Sequence, residues 1–322
     1  MLVLFLLAAA WGRPAAGAEL LRLEQSADAM GSTYSVAVYG EDRNQMETAV
    51  EAAFDEVRRL DNLLSNYKPD SEWSQVNRSA AEHPVAVSAE LYQLLSECLH
   101  YSAESEGAFD ITVGPLMKVW GFYKGTGRLP HKAEVLAALT RVGYGHVHLD
   151  PERLTVSFDR EGLELDPGGI GKGYAVDRMV EVLKQKGIHI ALVSGSGSSI
   201  YGLGAPPSEP RGWKITIRDP KSERKTVATV YLKDESLSTS GSYEKFFRAE
   251  GKIWAHIMDP RTGYPAPGML SVSVMAPRTL DSEAWTKPYF INGRQWAARH
   301  LQPGFRAFFC EDRTEQACAW LQ

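Results

Sequence analysis

The chain has 322 residues, of which 44% are hydrophobic and 23% charged, and its formal net charge is -5. This is the composition of a globular protein with a sizeable core, so it excludes a disordered tail, a collagen-like fibre and a multi-span membrane protein. Without a basic excess, binding to nucleic acid is also disfavoured. Three cysteines are too few for a disulfide scaffold or a structural zinc cluster, although Cys310 and Cys318 are close enough in sequence to pair.

The N-terminal residues have the pattern of a secretory signal. Residues 2–11 are nearly all apolar, and Ala16, Gly17 and Ala18 supply small residues at the spacing of a signal-peptidase site. We expect residues 1–18 to be removed and residues 19–322 to form the mature domain. The expected location is extracytoplasmic, in a periplasm, with membrane association left open. The cleavage site contains no cysteine, so a lipoprotein anchor is not supported.

Hydrophobic periodicity predicts helices and strands along the rest of the chain, without a regular strand–helix–strand rhythm. Strands are predicted at residues 34–39, 188–193, 213–218, 226–232, 254–258 and 270–275, with two short ones between 147 and 158. Helices are predicted at residues 44–64, 89–103 and 174–186. The polar segment 65–78, which contains Pro69, is predicted to be a loop. This mixture favours an α+β fold with antiparallel sheets.

A glycine-rich segment, DPGGIGKG at residues 166–173, precedes the third predicted helix. Glycine lets the backbone approach a ligand closely, and a helix N-terminus favours anions, so a phosphate or pyrophosphate is a suitable ligand. Asp166 stands where a Walker A loop needs glycine, and Tyr174 stands where a dinucleotide fingerprint needs one. A tight turn without a ligand is the alternative, but Lys172 beside the glycines favours the ligand.

Two further regions carry polar or aromatic groups beside turns. In HIMDPRTGYP at residues 256–265, Asp259 and Thr262 can hydrogen-bond the turn, and His256 can contact a phosphate or accept a proton. The alternative is a well-built turn with a satisfied histidine. Elsewhere, Tyr67 and Phe109 follow or precede turns and can stack on a planar ring or pack in the core.

The segment DSEAWTKP at residues 281–288 places two opposite charges four residues apart. If it is helical, Glu283 and Lys287 share a face. The alternative to a functional role for this pair is a surface ion pair of small energetic value. We expect Pro288 to end or kink such a helix.

Taken together, five segments resemble the ApbE family, the FAD:protein FMN transferases, in order and over nearly the whole mature chain. They are MGST at residues 30–33, the polar loop at 64–77, GAFDITVGPLMKVWGF at 107–122, DPGGIGKGYAVD at 166–177 and HIMDPRTGYP at 256–265. The resemblance implies an ApbE-like, T-fold-like α+β architecture with mixed, largely antiparallel sheets and packed helices.

The resemblance also implies a reaction. FAD and Mg²⁺ bind in one cleft, a Ser or Thr hydroxyl of an acceptor protein attacks the flavin-side phosphorus, and AMP leaves. The implied acceptors are subunits of membrane redox pumps or secreted flavoproteins. His256, with Asp259 and Thr262, is implied in catalysis. The implied FAD contacts are Met30, Tyr67, Ala108, Phe109, Asp110, Asp166, Lys172 and Met258.

The implied metal site departs from the family's pattern. Gly169 would offer its carbonyl oxygen, but Glu283 and Lys287 stand where the family has Asp and Thr. Glutamate can bind Mg²⁺, whereas the ammonium of lysine is itself a cation and cannot. We therefore expect Lys287 either to weaken the magnesium site or to replace part of its charge. A shifted register would use Asp281 and Thr286, five residues apart and on different helix faces.

Other functions remain as alternatives. One is a pyrophosphatase that splits FAD into FMN and AMP, with water in place of the acceptor hydroxyl. Another is a protein that binds FAD without chemistry, which Lys287 would permit. A flavin oxidoreductase fits poorly, because the sequence has neither a Rossmann fingerprint nor a Cys-x-x-Cys pair.

Overall fold

The computed structural model describes residues 20–313 and 318–321, so the predicted signal peptide lies outside the described residues. The helices are α1 (Arg43–Leu64), α2 (Glu72–Ser79), α3 (Ala89–Glu104), α4 (Gly114–Val119), α5 (Lys132–Leu139), α6 (Gly171–Gln185) and α7 (Thr279–His300). The strands are β1 (Leu21–Ala29), β2 (Ser32–Gly40), β3 (Val85–Ala86), β4 (Val147–Asp150), β5 (Thr155–Phe158), β6 (Ile190–Gly195), β7 (Ser199–Leu203), β8 (Trp213–Asp219), β9 (Ser222–Leu232), β10 (Glu235–Gly241), β11 (Phe246–Ala249), β12 (Lys252–Ala255), β13 (Met258–Asp259), β14 (Tyr264–Pro265), β15 (Met269–Ala276), β16 (Arg306–Glu311) and β17 (Cys318–Trp320).

The main sheet has eight strands in the order β1-β2-β6-β7-β10-β15-β16-β17, and every neighbouring pair is antiparallel. Helices α1, α6 and α7 pack against it. Alternate side chains of a strand point to opposite faces. Accordingly, Val36 and Val38 of β2 join the core that contains these helices, whereas Ala37 joins a second core with Trp213 of the β8–β9 hairpin. The predicted α+β fold with largely antiparallel sheets is confirmed.

The structure corrects two local predictions, the loop at 65–78 and the end of a helix at Pro288. The predicted loop at 65–78 contains α2, because Ser71 caps it by accepting a hydrogen bond from the Ser74 N–H at 3.0 Å and Trp73 is fully buried. Pro288 does not end the helix: α7 stays helical past it as far as a kink at non-helical Gly293, beyond which a second helical segment runs to His300. The first half of α7 lies against β10 and β15, and this packing offsets the single hydrogen bond that proline removes.

Two further features of the fold concern the cysteines and the apolar character of the helices. Cys310 and Cys318 form a disulfide between β16 and β17, and Cys98 is a buried free thiol. In residues 20–313 and 318–321 we find no helix with the length and apolar character needed to cross a membrane.

Candidate active site

The glycine-rich segment forms a tight turn and then the N-terminus of α6, which packs against the start of α7. Asp166 caps the turn by accepting a hydrogen bond from the Gly168 N–H at 2.6 Å. A Cβ atom on Gly173 would lie 2.6 Å from the Thr279 carbonyl oxygen and 2.9 Å from Glu283 Oε2, so this position requires glycine. Because Gly173 has no side chain, the start of α6 can approach α7 closely enough for the Gly173 N–H to bond to Glu283.

Asp177, one turn further along α6, fixes the start of α7. Its carboxylate accepts hydrogen bonds from the Thr279 and Leu280 N–H groups at 2.7 and 2.8 Å. Burial nevertheless raises the pKa of Asp177 to about 6. These bonds hold the two helix starts in a fixed relation, which determines where the next turns of α7 point.

Glu283 and Lys287, on the face of α7 toward this turn, form an ion network with Lys172 of α6. Glu283 is 3% exposed, and its carboxylate accepts a hydrogen bond from the Gly173 N–H at 2.5 Å and lies 3.1 Å from Lys172 Nζ. Lys287 Nζ donates to the carbonyl oxygens of Gly169 and Glu283, both at 2.9 Å. The structure thus brings together all three residues predicted for the metal site, with the ammonium at their centre.

The charges in this network shift one another's pKa. Burial alone would raise the pKa of Glu283, but Lys172, Lys287 and the Gly173 N–H together hold it below its ordinary value. Burial lowers the pKa of Lys287 to about 8, and Glu283 opposes that shift. At neutral pH the carboxylate is therefore ionised and Lys287 is mainly an ammonium.

These residues do not fit a magnesium ion. Mg²⁺ requires near-octahedral oxygen ligands at about 2.0–2.1 Å. The Gly169 carbonyl would be one, but Lys287 Nζ already bonds to it, and the Glu283 carboxylate is held by Gly173 and Lys172. Across residues 20–313 and 318–321, no cluster of three His, Cys, Asp or Glu side chains is placed to hold a metal ion.

The shifted register does not bring its two residues together. Asp281 accepts a hydrogen bond from the Tyr101 hydroxyl at 2.5 Å and pairs with Arg278 at 2.7 Å. Thr286 Oγ1 lies 2.7 Å from Ser240 Oγ, on the side of α7 that faces β10. Glu283 is therefore the α7 carboxylate that faces the glycine turn.

Aromatic groups lie beside Asp166. The Tyr123 hydroxyl hydrogen-bonds to the Asp166 carboxylate; burial raises the pKa of Asp166, and this bond opposes the shift. The rings of Tyr67 and Tyr123 meet edge-to-face with centroids 6.2 Å apart. Tyr67 is 72% exposed, which is unusual for an aromatic ring and leaves its face free to stack on a ligand.

Met30 and Phe109 border the same turn. Met30 has a positive φ of 52° and its Sδ accepts a hydrogen bond from the Tyr34 hydroxyl at 3.6 Å. Its Cε lies 3.5 Å from where a Cβ on Gly171 would be, and Phe109 Cε2 lies 3.3 Å from the equivalent point on Gly169. Both predicted FAD contacts therefore lie beside the N-terminus of α6.

The side chains of three other predicted FAD contacts are buried or hydrogen-bonded within the protein itself. Ala108 is 1% exposed and Met258 is 6% exposed, the latter in a cluster with Trp120. Asp110 accepts hydrogen bonds from the Thr112 N–H and hydroxyl and from the Tyr144 N–H at 2.7–2.9 Å. Contact of these side chains with FAD stays a prediction.

His256 approaches the ion network from the segment after β12. Its Nδ1 lies 3.1 Å from the Lys245 carbonyl oxygen, which can only accept, so Nδ1 carries the hydrogen and Nε2 keeps its lone pair. The pKa of His256 is lowered to about 4, mainly by burial and in smaller part by the charges of Lys245, Lys172 and Lys287, whereas the hydrogen bond to the Lys245 carbonyl opposes the shift. At neutral pH this imidazole is an uncharged acceptor within electrostatic reach of these three lysines.

Asp259 and Thr262 build the turn that follows His256. The Asp259 carboxylate pairs with Arg261 at 2.9 Å, and its carbonyl accepts the Gly263 N–H at 2.9 Å. Thr262 Oγ1 accepts the Tyr264 N–H at 3.3 Å. Their bonds support the turn, and a direct part in catalysis stays a prediction.

Comparison with known proteins identifies the family. The model described as "ApbE family" matches residues 30–309. A protein of Klebsiella pneumoniae named FAD:protein FMN transferase is 33% identical over 269 residues, which cover 82% of this chain and 81% of that one. A protein of Treponema pallidum with the same name is 32% identical over 297 residues, or 87% of this chain and 82% of that one. The chain belongs to the ApbE family.

Solved ApbE structures share the fold. The ApbE protein of Thermotoga maritima superposes with a TM-score of 0.83 at 28% identity, covering 92% of this chain and 97% of that one. The flavinyl transferase ApbE of Pseudomonas stutzeri, in its apo form, gives 0.81 at 28% identity and covers 94% of both chains. The ApbE-like architecture predicted from the sequence is therefore confirmed.

Two residues of this ApbE site were missed by the sequence. Tyr123 bonds to Asp166 and lies directly after the segment 107–122, so its position beside that segment was the available signal. Gly173 was counted only as part of the glycine turn, yet it makes the approach of Glu283 possible. No local pattern reveals that role, because Glu283 is 110 residues away in sequence.

Proposed function

We propose that this protein transfers the FMN part of FAD to a Ser or Thr hydroxyl of an acceptor flavoprotein. The observation that carries the proposal is one site in which a neutral histidine lies within electrostatic reach of the Lys172–Lys287 pair at the N-terminus of α6. Positive charge and a helix N-terminus suit a pyrophosphate, and an uncharged imidazole suits a hydroxyl proton.

The step balances without an added reactant. The acceptor oxygen forms a bond to the flavin-side phosphorus, and the bond from that phosphorus to the bridging oxygen breaks. AMP leaves with the bridging oxygen, and the hydroxyl proton passes to His256 Nε2 and then to solvent. Lys172, whose Nζ lies near the site at the helix start, stabilises the charge on the phosphate oxygens.

We further propose that the exposed ring of Tyr67 stacks on a planar part of FAD, with Met30 and Phe109 beside it. Asp166, bonded to Tyr123 and Gly168, shapes the turn below. The magnesium requirement implied by the resemblance stays a prediction, and the donor set argues against it. The cleaved signal at residues 1–18 and a periplasmic location remain part of the proposal.

The experiment mixes the protein with FAD and an acceptor domain that carries a Ser/Thr flavinylation motif. Covalent flavin is read by in-gel fluorescence, and AMP by chromatography. The proposal predicts a fluorescent acceptor band and AMP in equal amounts. An acceptor whose target residue is changed to alanine is the matched control and must stay dark. FAD binding without any band, across several acceptors, would overturn the proposal.

A second candidate function is FAD hydrolysis or FAD binding alone, which Lys287 in the predicted metal site favours. Water in place of the acceptor hydroxyl would give FMN and AMP. The same assay separates these candidates, because AMP would then form at the same rate with and without acceptor. A binding protein would release no AMP at all.

A further inference from the structure

We propose that the ammonium of Lys287 is a built-in cation that takes the place of a divalent metal ion at the pyrophosphate of FAD. The inference rests on the proposed function and adds to it the source of the positive charge. In this proposal, FAD binding and FMN transfer proceed with no divalent ion, and the bonds formed and broken are those given above.

The position of the ammonium carries the argument. Lys287 Nζ bonds at 2.9 Å to the carbonyl oxygen of Gly169, which the resemblance implies as a metal ligand, and at 2.9 Å to the carbonyl oxygen of Glu283. It lies 3.9 Å from Glu283 Oε1. An ammonium has three N–H donors, and these two bonds use two of them. Among the described residues the third has no acceptor within hydrogen-bond distance, so it is free for a phosphate oxygen.

The carboxylate in the site is already held by cations and an N–H group. Glu283 Oε2 accepts from the Gly173 N–H at 2.5 Å, and Oε1 lies 3.1 Å from Lys172 Nζ. A divalent ion on Glu283 would have to displace Lys172 and would lie against the ammonium of Lys287. A divalent cation and an ammonium in direct contact repel strongly in a partly buried site.

The net charge of the network suits an anion without any metal. Lys172 and Lys287 each carry +1 and Glu283 carries -1, so the three groups sum to +1. The network faces the N-terminus of α6, which adds partial positive charge. Lys287 is four-fifths buried, so its position is set by packing and by its two carbonyl bonds. An ordinary surface ion pair would have neither a net positive charge nor a buried lysine.

The test uses the full chain as wild type, Lys287→Thr and Lys287→Met. The matched control is Lys132→Thr, an exposed lysine on α5 with no partner among the described residues. Each protein is assayed with FAD and acceptor in EDTA and in Mg²⁺, and thermal melting confirms that each is folded. FAD affinity is measured in the same buffers, and Mg²⁺ binding to the FAD-loaded protein is measured by calorimetry.

We expect wild type and Lys132→Thr to transfer FMN in EDTA at the rate seen in Mg²⁺, within about twofold. Lys287→Met should lose roughly 100-fold in both buffers, the scale of removing one preorganised charge. Lys287→Thr, which restores a hydroxyl, should lose as much in EDTA and recover at least about tenfold in Mg²⁺. Calorimetry should show Mg²⁺ binding to Lys287→Thr and none to wild type.

A wild-type rate that collapses in EDTA and returns with Mg²⁺ overturns the inference while supporting the transferase. Lys287 variants that match wild type in EDTA also overturn it, since the lysine would then be a structural ion pair only. If no protein transfers flavin, the proposed function fails, and FAD affinity decides the inference. The inference is supported if EDTA leaves the FAD affinity of wild type unchanged and Lys287→Thr binds FAD more weakly unless Mg²⁺ is present. It is overturned if EDTA weakens FAD binding by wild type, or if Lys287→Thr binds FAD as tightly as wild type in EDTA.

Discussion

Lys287 Nζ donates a hydrogen bond to the carbonyl oxygen of Gly169 at 2.9 Å, although the two residues are 118 positions apart in sequence. The contact exists because Gly173 lets the start of α6 approach α7, and because Asp177 fixes the first residues of α7. The same contact puts positive charge where the glycine turn can receive a phosphate. Fold and site are therefore linked through one helix pair.

Gly173→Ala should destabilise the protein by about 2–3 kcal/mol, because its Cβ would overlap the Thr279 carbonyl oxygen and Glu283, and backbone must move. Urea unfolding measures this change. Gly145→Ala is the matched control, since a Cβ there meets nothing within 4 Å, and it should shift stability by less than about 0.5 kcal/mol. Equal effects of the two changes would show that the helix contact is not tight.

Tyr67→Ala should leave stability nearly unchanged, because the ring is 72% exposed, while weakening FAD binding by roughly two- to tenfold. Fluorescence titration of FAD gives the affinity, and thermal melting gives the stability. Tyr92→Ala on α3 is the control for losing a partly buried tyrosine from another helix and should not alter FAD affinity. Unchanged binding by Tyr67→Ala would remove this ring from the flavin site.

His256→Asn should lower the transfer rate by roughly 100-fold or more, since the Nε2 lone pair that receives the hydroxyl proton is lost. FAD affinity should change little, because the variant keeps a side chain able to bond to the Lys245 carbonyl. Single-turnover transfer and FAD titration measure the two effects separately. A variant that transfers at the wild-type rate would exclude proton acceptance by His256.

The pKa of His256, lowered to about 4 from an ordinary 6.5, also makes stability depend on pH. Between these pH values His256 is protonated in the unfolded chain and neutral in the folded protein. Its contribution to the free energy of unfolding is therefore present above pH 6.5 and is lost as the pH falls toward 4. The stability difference between wild type and His256→Asn should therefore shrink on acidification through that window. A pH-independent difference, measured by urea unfolding, would contradict the burial of a neutral imidazole.

Much of the site was predictable because its chemistry is local in sequence. The glycine turn at 166–173, the four-residue spacing of Glu283 and Lys287, and the turn after His256 are each read from a few neighbouring residues. The structure brings Lys172, Gly169, Glu283 and Lys287 together, a grouping that the family resemblance implied and that no single local pattern contains. What the sequence could not supply is the direction of the Lys287 ammonium, which depends on packing between α6 and α7.

Strand β10 shows why part of the fold was missed. Its sequence, ESLSTSG, has the composition of a loop, yet it lies in the middle of the main sheet. Its hydroxyls find buried partners: Ser236 donates to the Ala276 carbonyl at 2.8 Å, and Ser238 and Ser240 bond to Ser282 and Thr286 of α7. Buried polar groups are tolerated when they are paired, and those partners come from distant segments that no local pattern reveals.

The most direct test of the central claim is the intact mass of an acceptor protein after incubation with this enzyme and FAD, with AMP quantified in parallel. The proposed transfer predicts an acceptor heavier by FMN less one water, one AMP for each acceptor modified, and a rate of modification lowered by roughly 100-fold or more with His256→Asn. An acceptor of unchanged mass, while AMP and free FMN accumulate at the same rate with or without it, would contradict transfer and establish hydrolysis.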